Sequence, residues 1–262
     1  MILDAYLAQA KFDEMGEYLA KQSVNDKILQ ATFRAFEGYV QLSKKNNEKA
    51  KLLFEEARSL DSENIRAILG LASYYVTVSD NEAAIKLLSE FLKKQPENIK
   101  ALALRAELFR KTGKLAESEA DFSTVLKLNP NQHKARLGMA FVQVANREAD
   151  AALETINKLP EKIQKSPIVE YLKAVSFYLK KDIAQSEEYL QKVLVILPDH
   201  LQSHLLLGVI NYVNQKWKLA EEHLRRTNSK LPDNLSVTKL LAATYLKLQQ
   251  PDKAIQLLNK QA

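Results

Sequence analysis

A single spacing limits what this chain can fold into. Pro96, Pro130, Pro198 and Pro232 each close a similar segment, and they stand 34, 68 and 34 residues apart. Since 68 is twice 34, one period of 34 fits all four, and one step back from Pro96 lands on Ser62 at another segment end. A fixed period of this size marks an array of repeated supersecondary units. Each unit reads as two amphipathic helices. In the unit ending at Pro96, Ile68, Leu71, Ala72 and Tyr75 recur at helical spacing. Ser79-Asp80-Asn81 then supplies turn and N-cap residues. Ala84, Ile85, Leu88, Phe91 and Leu92 mark a second helix, which Pro96 stops. A hairpin of this kind exposes an apolar face, and stacking like units buries it. Apolar residues form 46% of the 262, enough for a core, while Gly and Pro number only 6 and 7, which disfavours a turn-rich sheet protein.

Three rows of residues hold the register. Gly38, Ala72, Ala106, Ala140, Ala174, Gly208 and Ala242 fall midway along the first helices. Ala50, Ala84, Ser118, Ala152, Ser186, Ala220 and Ala254 fall early in the second, and Phe54, Leu88, Phe122, Ile156, Leu190, Leu224 and Leu258 follow one turn later. Small side chains let helix axes approach, and a bulky one fills the wedge behind. The pattern resembles the tetratricopeptide repeat. The resemblance implies an all-α fold, a right-handed alpha-alpha superhelix spanning residues 1–262 as one solenoid. Residues 1–26 read as a truncated N-terminal pair and residues 27–262 as seven complete pairs. Pro160 cuts the fourth pair's second helix short, so an irregular connection with a local kink is expected over residues 159–167. Ile255 and Leu258 point an apolar face toward a further repeat. The chain therefore reads as a segment of a longer array, or as one capable of end-to-end self-association.

Segments Leu205–Tyr212, Ala220–Leu224, Lys239–Leu246 and Gln250–Ala254 also resemble the repeat-rich lipoproteins of bacterial PEP-CTERM/exosortase gene clusters. That resemblance implies the periplasm or cell envelope of a Gram-negative bacterium, a lipid-anchored parent and a link to exopolysaccharide export; a cytoplasmic regulatory adaptor is the alternative. The longest apolar run, Leu205 to Val213, is too short to span a bilayer, and Met1 to Asp4 lacks the start of a signal peptide.

In the tetratricopeptide family the first helices line the concave face, so a protein or peptide partner is expected there. The third pair presents Lys100, Glu107, Arg110 and Lys111. The next three present Leu137, Phe141 and Val144; Tyr171, Val175 and Tyr178; and Leu205, Val209 and Tyr212. An apolar, aromatic stripe suits a docked peptide; the competing reading is that curvature buries these residues against each other. The family's Lys-and-Asn carboxylate clamp finds only Lys239, with Ala243 in the Asn slot.

No catalytic residues or cofactor are expected. Cysteine is absent, and no phosphate-cradling glycine loop or nucleophile elbow occurs. His200 and His204 are one turn apart but lack the glutamate of a metalloprotease helix, so no metal site is assigned. The net charge of +6 would suit nucleic acid, yet many cations pair up at expected helix ends (Lys44-Lys45, Lys93-Lys94, Lys180-Lys181), where they complement the helix dipole. Trp217 opens a second helix and is expected to pack under the adjoining pair; a sugar platform, and with it a carbohydrate-binding accessory, is the alternative reading.

Overall fold

The computed structural model describes residues 2–22 and 25–259. Every regular element among them is a helix. The chain forms α1 (Ile2–Ala8), α2 (Phe12–Ala20), α3 (Lys27–Ser43), α4 (Asn47–Leu60), α5 (Ile65–Thr77), α6 (Asn81–Lys94), α7 (Ile99–Lys111), α8 (Leu115–Leu128) and α9 (His133–Ala145). It continues with α10 (Ala149–Asn157), α11 (Glu161–Gln164), α12 (Pro167–Leu179), α13 (Ile183–Ile196), α14 (Leu201–Val213), α15 (Trp217–Lys230), α16 (Leu235–Lys247) and α17 (Pro251–Asn259). Two compact units divide the chain, residues 1–142 and 143–262. Among the described residues no helix is long and apolar enough to cross a membrane.

The first helices begin on polar caps. Asn64, Asn98 and Asn234 each accept the N–H of the residue three ahead, and His200 does the same with an imidazole nitrogen. The ends of the first helices follow one pattern. Ala10, Lys45, Ser79, Gly113, Arg147, Lys181, Gln215 and Gln249 all adopt positive φ, from Lys45 onward at steps of 34. After each, the next backbone N–H reaches back five residues, as Asp80 does to the Tyr75 carbonyl and Lys114 to that of Phe109, both at 2.8 Å. This closes the last carbonyls of the helix and turns the chain into its partner. Lys44-Lys45 and Lys180-Lys181 thus lie in turns just past α3 and α12, whereas Lys93-Lys94 does sit in the last turn of α6.

Inside the units the three rows do the packing. Every member of the two small-residue rows is buried, and so are Phe54, Leu88, Phe122, Ile156, Leu190 and Leu224. The close approach is measurable at Phe54. Its ring fills the space that a Cβ would need on Gly38 of its own hairpin and on Gly70 of the following first helix. Phe122 stands in the same way against Gly138, and Leu224 against Gly208. Where the second-helix row carries Ser instead of Ala, the hydroxyl of Ser118 donates to the Ala106 carbonyl (2.8 Å) and that of Ser186 to the Ala174 carbonyl (2.9 Å), so no buried donor is left open. Between α10 and α12 the connection after Pro160 contains the single turn α11, tied down by Gln164, whose amide donates to the Leu159 carbonyl at 2.8 Å.

Candidate functional site

The first helices of unit 1 carry charge beside the framework rows. Arg110 donates to both oxygens of Glu107, at 2.9 and 2.5 Å, and its guanidinium lies 4.9 Å from the Phe141 ring centre. The carboxylate holds the Arg110 guanidinium even more firmly protonated than usual. Lys100 and Lys111 are exposed, while Leu137 and Phe141 are half-buried. Two residues before Glu107, Arg105 forms a two-pronged pair with Asp121 at 2.7 and 2.8 Å and also donates to the Ser89 hydroxyl. A cavity of about 570 Å³ lies among α2, α3 and α4, where Arg34 bonds Glu37 at 2.7 Å and stands 3.4 Å from Glu56. The sequence reading assigned nothing there, and the shortness of α2 is its only visible signal.

The first helices of unit 2, α12, α14 and α16, have a different face. Val144, Tyr171, Val175, Tyr178, Leu205, Val209 and Tyr212 are all half-buried. Tyr171 and Tyr178 pack on the core of Ala174, Leu190, Leu207 and Ile210. Leu205 and Tyr212 pack on that of Ala220, Leu224, Leu241 and Tyr245. Tyr171 meets the His200 ring edge-on at 5.1 Å, and burial pushes its phenol pKa up. Tyr212 meets Trp217 edge-on at 5.2 Å, and the Lys247 ammonium lies 6.0 Å from the Trp217 ring centre. Each aromatic ring therefore has one side spent on packing.

Three residues missed in the sequence stand more openly on these helices: Ile168 is 46% exposed, Val213 68% and Leu246 58%. Leu246 lies one period after Tyr212 and is legible from the register; Ile168 and Val213 fall outside the repeat positions of Tyr171, Val175 and Tyr178. Glu170 is the only carboxylate on α12, α14 and α16, and it is buried beside Lys173, 3.9 Å away. Its Oε2 has no hydrogen-bond partner among the described residues. Lys239 and Lys247 are exposed, so the accessible face is apolar and cationic.

The histidines of unit 2 form a network. His204 Nε2 lies 2.8 Å from the Pro198 carbonyl, which can only accept, so Nε2 carries the proton. His204 Nδ1 is then the acceptor for His223 Nδ1–H at 2.9 Å. His200 uses its Nδ1 on Ser203, capping α14. No group of three or more His, Cys, Asp or Glu side chains poised to hold a metal occurs among the described residues.

Fold and register together define an all-helical repeat protein with a tetratricopeptide-like fold. Residues 69–133 and 109–175 match two family models, both described as tetratricopeptide repeat, which supports that family over this part of the chain. Anaphase-promoting complex subunit 7 of Arabidopsis thaliana is 28% identical over 139 residues, which is 53% of this chain and 25% of that protein. The chain thus spans about a quarter of that relative's length. Among solved structures, YrrB, described as a TPR protein with an unusual peptide-binding site, is similar at a TM-score of 0.58 and 21% identity over 66% of this chain and 89% of that one. PilF of Pseudomonas aeruginosa is similar at 0.67 and 16%, over 84% of this chain and all of that one. These two likenesses are of fold.

Proposed function

We propose that this chain is a non-catalytic scaffold that holds a protein or peptide on the faces of its first helices. Proteins of the tetratricopeptide class generally serve as interaction scaffolds, and the peptide-binding site named for YrrB supports a peptide ligand. The observation that carries the reading is the face of unit 2. Ile168, Val213 and Leu246 remain open beside half-buried tyrosines, with no exposed carboxylate on α12, α14 or α16. Apolar area rimmed by tyrosine hydroxyls and lysines fits a peptide that offers apolar side chains and a carboxylate. The resemblance of Leu205–Tyr212 and its neighbours to envelope repeat lipoproteins supports a place beside exopolysaccharide export in a Gram-negative envelope; recovery of the native protein in the cytoplasmic fraction would end that part.

The binding reading is tested with peptides selected from a random displayed library against the wild-type chain. They are then titrated against a variant carrying Ile168→Glu, Val213→Glu and Leu246→Glu. All three positions are exposed, so helicity should hold. Affinity should fall at least tenfold, a loss of about 1.4 kcal/mol. Equal affinity for the variant would show that peptides bind elsewhere.

A further inference from the structure

Trp217 is only half-buried, although Tyr212 packs edge-on against it. It stands in the wall of an open cavity of about 340 Å³ at the turn between α14 and α15. Gln215, Lys216, Lys218, Leu219 and, from the next such turn, Leu248 complete the wall. Leu219 is 47% exposed, and Val213, just before the turn, is 68% exposed. Apolar side chains left open around a concavity offer a place for an apolar group. Three cations stand around it. Lys216 and Lys218 flank Trp217 in the chain, and Lys247 lies 6.0 Å from its ring centre. All three are exposed. Lys216 has a loose partner in Glu187, 3.8 Å away, whereas Lys218 and Lys247 have no ion-pair partner among the described residues. No carboxylate lines the cavity. The slot of Lys247 is also open at Lys111 and Val213, so its exposure is a property of the repeat.

Cations around apolar walls select a ligand that carries negative charge beside an apolar group. The cationic patch is small. Glu221 and Glu222 follow one turn further along α15, and Glu187 stands beside Lys216. A nucleic-acid backbone or an anionic membrane presents phosphates over a long track or plane, and would meet these carboxylates as well as the lysines. A short peptide segment can confine its own carboxylates to the three cations. We propose that the cavity takes the apolar side chain of a peptide segment whose neighbouring residues are Asp or Glu, with their carboxylates on Lys216, Lys218 and Lys247. The proposal rests on the reading that unit 2 holds a peptide, and it names the kind of peptide and the place of its charged part. Val213 ends α14 and so stands between the first-helix face and this turn.

The experiment selects displayed peptides of random sequence on the wild-type chain and titrates them against three proteins. These are the wild type, a double variant with Lys218→Glu and Lys247→Glu, and the triple variant with Ile168→Glu, Val213→Glu and Leu246→Glu. Both lysines are exposed, and unchanged far-UV circular dichroism confirms that the double variant folds. The selected sequences should carry an apolar residue flanked by Asp or Glu. Their affinity should fall at least tenfold in the double variant, and affinity for the wild type should weaken as salt is added. Replacing the Asp and Glu of a selected peptide by Lys should reverse the preference and make the double variant the tighter binder. Selected peptides without acidic residues, or with equal affinity for the double variant, would overturn the proposal. If those peptides still lose affinity in the triple variant, peptide binding by unit 2 stands and only its charge and place fail. A selection that yields no binding peptide overturns both.

Discussion

Units 1 and 2 share a framework and differ in the residues just beside it. In unit 1 Phe54 and Phe122 fill against Gly38, Gly70 and Gly138; in unit 2 Leu224 fills against Gly208. The neighbouring slots diverge. Unit 1 places Arg105 on Asp121 and Arg110 on Glu107. Unit 2 places Tyr171 against His200, Tyr212 against Trp217 and His204 against His223. The framework positions are constrained on both sides by neighbouring helices, so almost any change of volume is felt. The positions beside them answer to fewer neighbours, and that freedom lets one repeat geometry carry charged contacts in one place and aromatic ones in another.

The largest effects should therefore be alike in the two units. Phe54→Ala should cost about 3–5 kcal/mol and Leu224→Ala about 2–5 kcal/mol, because each removes a buried side chain and leaves a cavity lined by helices that cannot collapse. Leu258→Ala, in the same row but partly open, should cost under about 1 kcal/mol. Urea midpoints measure all three. A Leu258→Ala cost matching that of Leu224→Ala would mean that the row is not stabilised by its neighbours, and the comparison between units would lose its basis.

The shared part is also the part that was legible in the sequence. Small and bulky residues at fixed steps of 34 state a packing requirement directly, and every small-row position and the bulky row up to Leu224 are buried. The turns were not legible in the same way. The positive-φ slot holds Ala, Lys, Ser, Gly, Arg, Lys, Gln and Gln in turn, and only Gly113 betrays it. The returning backbone hydrogen bond holds the conformation, so side-chain identity carries little signal there. The site was half legible. Period and face picked out Tyr171, Tyr178 and Tyr212, but a sequence does not say how much of each ring its neighbours cover. The His204–His223 contact joins residues 19 apart, outside both the helical and the repeat spacing.

The first difference between the units can be tested at Arg105. Its side chain keeps 19% of its exposure and that of Asp121 keeps 9%, so Arg105→Ala leaves a carboxylate nearly buried without its cation. A loss of about 2 kcal/mol is expected, below the 3–5 kcal/mol of a fully enclosed pair. The double substitution Arg105→Met with Asp121→Leu should lie within about 1 kcal/mol of wild type, because both charges leave together. A double variant as unstable as the single one would assign the loss to packing, and the contrast between charged and aromatic units would then be one of shape.

The smallest effect should separate the units by pH. Three of the four histidines lie in unit 2. Burial first, and then the neighbouring His204, hold the His200 and His223 imidazoles below the ordinary 6.5; Arg226 adds to this at His223 and Glu222 opposes it. The folded chain thus favours the neutral rings. Above 6.5 the folded and unfolded chains both carry them neutral, and stability is full. As the pH falls below 6.5 the unfolded chain takes up protons first, so stability drops until the folded rings also titrate. The hydrogen-bond pattern points the same way: with both imidazoles protonated, two N–H groups would face each other across 2.9 Å. Amide exchange, corrected for its intrinsic pH dependence, should show protection in α14 and α15 falling below pH 6.5 while α5 and α6 hold theirs. His223→Gln should shrink that gap. Equal losses in both units would mean that the imidazole network does not couple to the stability of its own helices. The His204–His223 contact would then be packing alone, as interchangeable as any other residue beside the framework.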